Sequence, residues 1–396
     1  MMNRKPMETL RKATLFAQAP DLDRRFWNDA LEFALARIRG NLETFRFKYP
    51  APASVDNVYP PVENVSWTSS FWTGLLYLAW EATGEAAFKE TADGQLPEYR
   101  CRLDRRIETD THDLGFLYTL SCVAAWRLDG NASARAAALK AADLLMLRYF
   151  EKAGVIQAWG DLNDPAQRGR IIIDCAMNLP LLHWAAEETG NPYYREAAAS
   201  HMRQANGNLI RDDWSTFHTY YFDTATGAPL RGDTHQGYSN DSCWARGQAW
   251  GIYGNALSYR YLRDPALLEE GRGLARYFLN RLPEDLVAYW DLIFTDGSEE
   301  RDSSAAAIAS AGLLELAAHL PTLDPERRLF ENAALRMLQS LARDYTSAAD
   351  PHSNGILLHA VYAKPLGNGI DECNIWGDYF YVEALMRLLK GTRSYW

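Results

Sequence analysis

A short turn that recurs five times between long helical stretches is the feature that most constrains the fold of this chain. Each turn combines a helix stop, either Gly or an Asp before Pro, with the start of a new helix. The turns are Thr83-Gly84-Glu85, Asp129-Gly130-Asn131, Thr189-Gly190-Asn191-Pro192, Arg263-Asp264-Pro265 and Leu323-Asp324-Pro325. Each turn therefore predicts a hairpin in which a more charged helix follows an apolar one.

Two further helical stretches lie outside these five hairpins. Apolar residues recur at helical spacing from Arg25 to about Phe47, and a last helix is predicted from Trp376 to Lys390. Together they predict a sixth pair. Repeated helical hairpins form either an open solenoid or a closed ring. The alternation of apolar inner and charged outer helices favours the ring. We predict an all-α fold, an (α/α)6 barrel of six helical hairpins, in a single domain over residues 1–396.

The long connections all follow an outer helix and lead to the next inner helix. They comprise residues 48–67, 103–111, 152–171, 212–243, 282–301 and 346–374. Strict alternation places them on one face of the ring, together with the N-terminal ends of the inner helices. Loop faces on rigid scaffolds are where sites are built, and helix N-termini favour anions. Residues 155–159 and 219–223 have strand character and predict small hairpins in these rim loops.

Charge and cysteine usage argue against several classes of function. The formal net charge is −10, which disfavours a nucleic-acid groove or a polybasic membrane surface. The five cysteines are scattered, which indicates free thiols in a reducing compartment, and no zinc-binding spacing occurs. Neither a run of about 18 apolar residues nor an apolar signal core within Met1–Pro20 occurs in the sequence. We expect a cytoplasmic monomer or homodimer without a membrane partner.

Two aspartates precede predicted inner helices and are the candidate catalytic residues. Asp113 follows a polar segment, whereas Asp174 follows Ile171-Ile172-Ile173. An Asp at a helix start most often caps the helix. The apolar run before Asp174, however, indicates a desolvated carboxyl with a raised pKa, as a proton donor needs near neutral pH. Two carboxylates on one rim are the usual equipment for glycoside chemistry.

Other candidate site residues lie at the starts of inner helices or in the loops before them. They are Trp67, His112, Trp159, Asn178, His218, Gln236, Trp244, Arg246, Gln248, Trp250, Asn374, Trp376 and Asp378. Histidines in such positions are more often structural, and tryptophans serve either the core or sugar stacking. Arg246, beside Trp244, fits a carboxylate clamp, because a guanidinium binds carboxylates in bidentate fashion. The alternative for Arg246 is a salt bridge on the rim.

Four separated motifs closely resemble the unsaturated glucuronyl hydrolases of glycoside hydrolase family 88. The motifs are Thr111-His112-Asp113-Leu114-Gly115-Phe116, Ile173-Asp174 with Met177-Asn178-Leu179, Trp244-Ala245-Arg246-Gly247-Gln248-Ala249-Trp250 and Asn374-Ile375-Trp376-Gly377-Asp378-Tyr379. The resemblance extends from about Trp67 to Leu388. It implies a catalytic (α/α)6 barrel that removes a Δ4,5-unsaturated uronic acid from oligosaccharides left by polysaccharide lyases, glycosaminoglycan fragments among them. The reaction would begin by hydration of the C4=C5 bond.

The resemblance also implies a role for each candidate. Asp174 would be the general acid and base, and Asp113 would bind sugar hydroxyls and support it. The positions that match contacts around the unsaturated sugar are Trp67, His112, Trp159, His218, Gln236, Trp244, Arg246 and Trp250. It implies no metal and no organic cofactor, and its only implied partner is a small oligosaccharide.

Departures from the family pattern leave the preferred substrate open. Ser242 stands where some members carry a Trp for the second sugar, and residues 363–368 largely lack the Ser/Lys-rich patch of members that prefer sulfated disaccharides. Three alternatives remain. An unsaturated rhamnogalacturonyl hydrolase would share the reaction, a sugar epimerase on the same barrel would use paired histidines, and a glycan-binding barrel would show no turnover.

Overall fold

Helices make up most of this chain, for which the computed structural model describes residues 4–396. In chain order they are α1 (Ala13–Phe16), α2 (Arg24–Gly40), α3 (Ser69–Thr83), α4 (Ala86–Asp104), α5 (Leu114–Tyr118), α6 (Ala124–Asp129), α7 (Ala132–Met146), α8 (Cys175–Asn178), α9 (Pro180–Thr189), α10 (Pro192–Leu209), α11 (Ala245–Leu262), α12 (Pro265–Leu279), α13 (Ser303–His319), α14 (Pro325–Asp344) and α15 (Ile375–Lys390). A π-helical turn, Thr119–Val123, joins α5 to α6 without a break.

The glycine turns end their helices as the sequence predicts. Gly84, Gly130 and Gly190 adopt the left-handed backbone conformation, with φ between 72° and 75°. Any residue with a Cβ would be strained there, which is why glycine occupies these positions. Each glycine N–H donates to the carbonyl four residues earlier and so closes the last helical turn.

The two Asp-Pro turns differ from the prediction, because the Asp starts the outer helix and does not stop the inner one. Asp264 and Asp324 are the N-caps of α12 and α14, and their carboxylates accept hydrogen bonds from the N–H groups of Ala266 and Glu326. This satisfies N–H groups of the first turn that have no partner within the helix. Helix α11 ends instead at Arg263, which is left-handed.

Six inner helical segments form a closed ring. They are α3, α5–α6, α8–α9, α11, α13 and α15, and each contacts the next in this order. The ring closes because α15 packs against α3, which excludes the open solenoid. Helices α4, α7, α10, α12 and α14 follow the first five inner segments on the outside, and α2 packs on α15 to complete the sixth pair. The predicted (α/α)6 barrel is confirmed.

The strands lie in the loops that lead from outer to inner helices. They are β1 (Tyr49–Pro50), β2 (Pro61–Val62), β3 (Tyr149–Phe150), β4 (Val155–Ile156), β5 (Arg170–Ile172), β6 (Thr219–Phe222), β7 (Pro229–Asp233), β8 (Ala360–Ala363) and β9 (Asn368–Glu372). They pair antiparallel as β1–β2, β3–β4, β5–β6–β7 and β8–β9. The sheet β5–β6–β7 ties two loops of the rim together.

Some predicted bounds shift. The first long helix ends at Gly40 and not near Phe47, because glycine is a poor helix former and the chain turns directly after it. The strand predicted over residues 155–159 shortens to β4, and that over 219–223 shortens by one residue to β6. The apolar run before Asp174, to which the sequence assigned no structure, contributes to β5.

Aromatic side chains pack inside the ring, so it encloses a core and not a pore. Trp396 is fully buried, and its ring centroid lies 5.9 Å from Phe380 and 5.8 Å from Phe116. Phe380 in turn packs against Trp250, with centroids 5.3 Å apart. Within residues 4–396, no helix is long and apolar enough to cross a lipid bilayer.

Candidate active site

Asp113 and Asp174 immediately precede inner helices α5 and α8, but neither serves as a helix cap. Their backbones are already helical, with φ, ψ of −64°, −2° for Asp113 and −60°, −21° for Asp174. Among residues 4–396, no helix N–H group donates to either carboxylate as a cap. Asp302, by contrast, caps α13 through two such bonds. The two candidate carboxylates are therefore free for another use.

A close approach of α5 and α8 brings the two aspartates together. A Cβ on Gly115 would lie 2.3 Å from the Cα of Asn178, so only glycine permits this contact. The Asn178 side chain accepts a hydrogen bond from Phe116 N at 2.8 Å, and its amide lies 3.4 Å from Asp113 Oδ1 and 3.4 Å from the Asp174 carbonyl. Asn178 thus ties the starts of both helices to each other.

Asp113 is held by polar neighbours and remains partly open. The Thr111 hydroxyl donates to its Oδ2 at 2.9 Å, and His112 Nε2 lies 3.4 Å from its Oδ1. The side chain is 21% exposed. Burial raises the pKa of Asp113 to about 6, against the lowering effect of the hydrogen bonds from Thr111 and Asn178.

Asp174 lies in a more apolar setting and is 8% exposed. Its Oδ1 is buried and accepts no hydrogen bond from the part of the chain that the structure describes. Burial raises the pKa of Asp174 to about 7; Arg246 opposes this shift, and the charge of Asp113 adds to it. The two carboxyls are therefore unequal, and the pKa of Asp174 is the higher of the two.

Arg246 lies in the first turn of α11 and is 1% exposed. Its guanidinium carbon is 4.5 Å from the ring centroid of Trp244 and 4.6 Å from that of Trp376, so the two indoles sandwich it. Nη2 donates to the carbonyl of Tyr362, whereas Nε and Nη1 have no partner within residues 4–396. A salt bridge on the rim, the alternative for this residue, does not form with any residue of that range. The free nitrogens can bind a carboxylate.

His218 presents a hydrogen-bond donor. Its Nδ1 accepts from the backbone N–H groups of His235 at 2.9 Å and Gln236 at 3.1 Å, so the neutral ring must carry its proton on Nε2. That Nε2 is buried and without a partner among the residues described, 4–396. Burial keeps the pKa of His218 well below its usual value. Ile173 N donates to the His218 carbonyl at 3.0 Å, which places this segment beside Asp174.

The predicted tryptophans form two groups. Trp67 stacks on Trp376 with centroids 5.1 Å apart and donates from Nε1 to the Tyr362 hydroxyl at 3.0 Å. Trp244 lies 4.7 Å from the His218 ring. Together with Arg246 these side chains make one continuous wall.

The other two predicted tryptophans lie to either side of this wall. Trp159 is on the rim, between Arg170, 3.8 Å from its centroid, and His235 at 5.5 Å. Trp250 is fully buried and packs on Phe116, and its Nε1 finds no acceptor within residues 4–396. Phe116 covers part of the Trp250 ring, so Trp250 offers no exposed face for its predicted sugar contact.

Tyr362, in strand β8, is the site residue that the sequence did not single out. Its hydroxyl accepts from Trp67, and its carbonyl accepts from Gln236 Nε2 at 3.0 Å and from Arg246. It therefore joins three loops of the rim. Aromatic residues are common in such loops, and no spacing signal distinguishes this one.

His112 is 1% exposed, and burial lowers its pKa to about 3, with Arg148 and Arg170 adding to the effect. It is therefore neutral near pH 7 and can offer a hydrogen bond but not a charge. Among residues 4–396, no group of three or more His, Cys, Asp or Glu side chains is arranged to hold a metal ion.

Two sequence candidates have packing partners that account for them. The amide of Gln248 donates to the carbonyls of Trp214 and Leu274. Asp378 accepts from the hydroxyl of Tyr59 and from two backbone N–H groups, at Ile356 and Leu357. They stabilise the loops around the site.

Two unequal carboxyls beside a buried arginine and a wall of indoles suit the chemistry of a glycoside hydrolase. Residues 43–392 match the family model described as Glycosyl Hydrolase Family 88. The chain belongs to this family.

Full-length relatives agree with this assignment. The chain is 47% identical, over 100% of both chains, to the unsaturated chondroitin disaccharide hydrolase of Streptococcus pneumoniae. The crystal structure of the unsaturated glucuronyl hydrolase of Streptococcus agalactiae matches with a TM-score of 0.95 and 46% identity, covering 100% of each chain. An Asp-to-Asn mutant of that enzyme, in complex with dGlcA-GalNAc6S, matches with a TM-score of 0.89 and 43% identity over 100% of each chain.

Proposed function

We propose that this chain is an unsaturated glucuronyl hydrolase, which removes the Δ4,5-unsaturated uronic acid from the non-reducing end of lyase-generated oligosaccharides. One observation carries the proposal. Asp174 combines a buried Oδ1 without a partner in residues 4–396, a pKa of about 7 and the neighbouring charge of Arg246. A proton donor beside an anion-binding group is what protonation of an unsaturated uronate requires.

The reaction begins at the double bond. The Asp174 carboxyl gives its proton to C4, and the π electron pair forms the new C–H bond. Positive charge then develops at C5 and is shared by the ring oxygen. Water adds to C5 and gives its proton to the Asp174 carboxylate, which restores the acid. The resulting hemiketal opens, and the bond between C1 and the next sugar breaks.

The neighbours of Asp174 support this sequence. Asp113, with the lower pKa of the two carboxyls, is the first to ionise, and its charge holds the proton on Asp174 and stabilises the positive charge at C5. Arg246 binds the uronate carboxylate through its free nitrogens. His218 donates from Nε2 to a sugar oxygen.

The remaining predicted contacts surround the sugar. His112 and Gln236 offer hydrogen bonds, and Trp67, Trp159, Trp244 and Trp250 provide stacking or apolar surface. Trp250 is fully buried beside Phe116, so of the four tryptophans it is the one with no exposed surface.

Chondroitin-type disaccharides are the substrates we favour, because relatives that share 47% of the sequence carry that name. Lys364, the cation of the last rim loop, pairs with Glu299 at 2.6 Å and also with Glu300. Its charge is therefore already compensated. A 6-sulfate near this loop would therefore have to compete with the two glutamates for Lys364.

Two other readings lead to different outcomes in the same assay. An unsaturated rhamnogalacturonyl hydrolase would turn over rhamnogalacturonan fragments and leave glucuronyl disaccharides. An epimerase needs histidines as acid and base, whereas burial holds the pKa of His112 and His218 low, and His218 Nδ1 is occupied by two N–H donors. The site therefore favours hydrolysis.

The test follows the ultraviolet absorbance of the conjugated C4=C5 bond, which hydration removes. Wild-type protein is given lyase digests of chondroitin, hyaluronan, heparin, gellan and rhamnogalacturonan. We expect Asp174→Asn to lower kcat by about 10² to 10⁴, the range typical of general acid–base catalysis. Asp110→Asn, an exposed position in the same loop as Asp113, is the matched control and should retain full activity. Unchanged turnover in Asp174→Asn would contradict the assigned role.

We also infer one catalytic domain over residues 1–396, because buried core residues run from Leu10 to Trp396. The five cysteines are all free thiols, which supports the expected cytoplasmic location. A monomer or homodimer remains our expectation for the oligomeric state.

A further inference from the structure

The Trp376 indole holds one face of the Arg246 guanidinium, and its own position depends on a second pair of residues. Trp376 is fully buried at the start of α15. Its Nε1 donates to the Ser304 hydroxyl at 2.9 Å, and the Ser304 hydroxyl donates to Asp302 Oδ1 at 2.5 Å. The three side chains thus form a directed hydrogen-bond chain behind the guanidinium.

The backbone is arranged for this contact. A Cβ on Gly377 would lie 2.9 Å from the Cβ of Ser304. Helices α13 and α15 therefore approach each other closely at the point where the hydrogen bond between Trp376 and Ser304 connects them. Ser304 and Asp302 are both fully buried. Asp302 Oδ1 also accepts from the N–H groups of Ser304 and Ala305, which fixes the acceptor at the rigid start of α13.

Asp302, at the end of this hydrogen-bond chain, also lies close enough to Arg246 for the arginine charge to affect its pKa. Asp302 Oδ2 is buried and has no hydrogen-bond partner among residues 4–396. Burial raises the pKa of Asp302, and the positive charge of Arg246 is the strongest influence that lowers it. Asp302 and Arg246 are therefore close enough for their charges to interact.

We propose that Asp302 and Ser304 are positioning residues that, through Trp376, hold the Arg246 guanidinium in the orientation that binds the substrate carboxylate. This rests on the proposed function, in which Arg246 is that carboxylate clamp. A guanidinium held by one backbone carbonyl and two aromatic faces can rotate in its plane if one indole moves. Without the Ser304 hydroxyl, the buried Nε1–H of Trp376 has no acceptor, which is energetically unfavourable. The Trp376 ring is then expected to tilt towards another acceptor.

The experiment measures KM and kcat of Ser304→Ala and Trp376→Phe with the unsaturated disaccharide from chondroitin lyase. Each variant should raise KM about fivefold with little change in kcat, because one hydrogen bond that supports binding has been removed. Ser310→Ala, on the same helix, removes a hydroxyl that bonds only to the Ala306 carbonyl, and should leave KM unchanged. Melting temperatures of all variants are recorded in parallel.

A double-mutant cycle with Arg246→Lys separates positioning from a general structural role. If Ser304 acts through the guanidinium, Ser304→Ala should raise KM no further once Arg246 is Lys. If the fold-increase in KM of the double mutant equals the product of the two single-mutant increases, the proposal is overturned. An unchanged KM in both Ser304→Ala and Trp376→Phe also overturns it.

Calorimetric binding of D-glucuronate to wild type and to Ser304→Ala keeps the two proposals distinguishable. If wild type turns over no unsaturated disaccharide, the proposed function fails. Weaker glucuronate binding by Ser304→Ala would then still support the positioning role, and equal binding would overturn it.

Discussion

At the scale of single residues, the decisive feature is the contrast between aspartates that cap helices and aspartates that do not. Asp264, Asp302 and Asp324 all bind N–H groups of the helix that follows them. Asp113 and Asp174 also precede helices, but they have helical backbones and their carboxylates accept no cap hydrogen bond within residues 4–396. The sequence places all five at helix starts, and only the backbone angles distinguish the two kinds.

The unequal environments of the two carboxyls lead to a prediction for pH dependence. In the proposed mechanism Asp174 must be protonated to donate, and its pKa of about 7 means that this form is lost as the pH rises through about 7. Asp113 must be ionised to hold that proton, and with a pKa of about 6 its charge is lost as the pH falls through about 6.

We therefore expect a bell-shaped profile of kcat/KM with a maximum between about pH 6 and about pH 7. Initial rates at low substrate concentration, recorded from about pH 5 to about pH 9, measure it. A profile that stays flat above neutrality would show that Asp174 is not the proton donor.

At the scale of helices and strands, turn residues made much of the architecture predictable. Gly84, Gly130 and Gly190 end helices α3, α6 and α9 as the turn residues predict. The π-helical turn at Thr119–Val123 was not predictable, because it reflects how α5 packs and carries no signal of its own.

Which residues face the site was harder to predict than where the helices begin. Inner helices are buried on all sides, so the periodicity of apolar residues gives no direction. Gln248 and Asp378 were plausible candidates on position alone, yet their hydrogen bonds serve the scaffold. Tyr362 lies in a short rim strand, β8, and no spacing signal in the sequence distinguishes it from other loop aromatics.

The contact between α5 and α8 is tested by Gly115→Ala. The added Cβ would meet backbone atoms of Asn178 at 2.3 and 2.4 Å, which cannot move aside as a flexible side chain would. We expect a loss of about 1 to 3 kcal/mol in the free energy of unfolding, as for overpacked cores. Activity should fall as well, because the starts of the two helices are forced apart.

Gly94→Ala is the matched control, because Gly94 is exposed within α4 and a Cβ there meets nothing within 4 Å. That variant should gain up to about 1 kcal/mol, since alanine is the better helix former. Urea denaturation of both variants measures the difference. Equal stability of Gly115→Ala and wild type would mean that the two helices do not need this close approach.

At the scale of the whole molecule, the closed ring separates two tasks. Short turns on one side and packed helices in the wall provide a rigid frame, and the long loops on the other side carry the strands and most of the site. Paired strands such as β5 with β6 connect these loops directly, so that His218 and Asp174 keep a fixed relation. The ring was predictable from repeated hairpins, whereas the links between loops arise only in three dimensions.

The buried position of Arg246 has a consequence for how fast substrate arrives. The molecule carries a net charge of −10, and the Arg246 guanidinium, which we propose binds the substrate carboxylate, is 1% exposed. In the proposed mechanism, a uronate in solution therefore meets the long-range repulsion of the whole protein before it reaches this buried guanidinium. At 0.1 M, salt largely screens the repulsion between solvent-exposed charges that are more than about 10 Å apart. It weakens a buried ion pair much less.

Added salt should accordingly accelerate capture, the reverse of the behaviour of most enzymes with charged substrates. We expect kcat/KM to rise about two- to threefold between low and physiological ionic strength, while kcat stays constant. Stopped-flow or initial-rate measurements across a salt series test this, with the methyl ester of the substrate as an uncharged control. A fall with salt would mean that positive rim potential, and not the buried arginine alone, draws the substrate in.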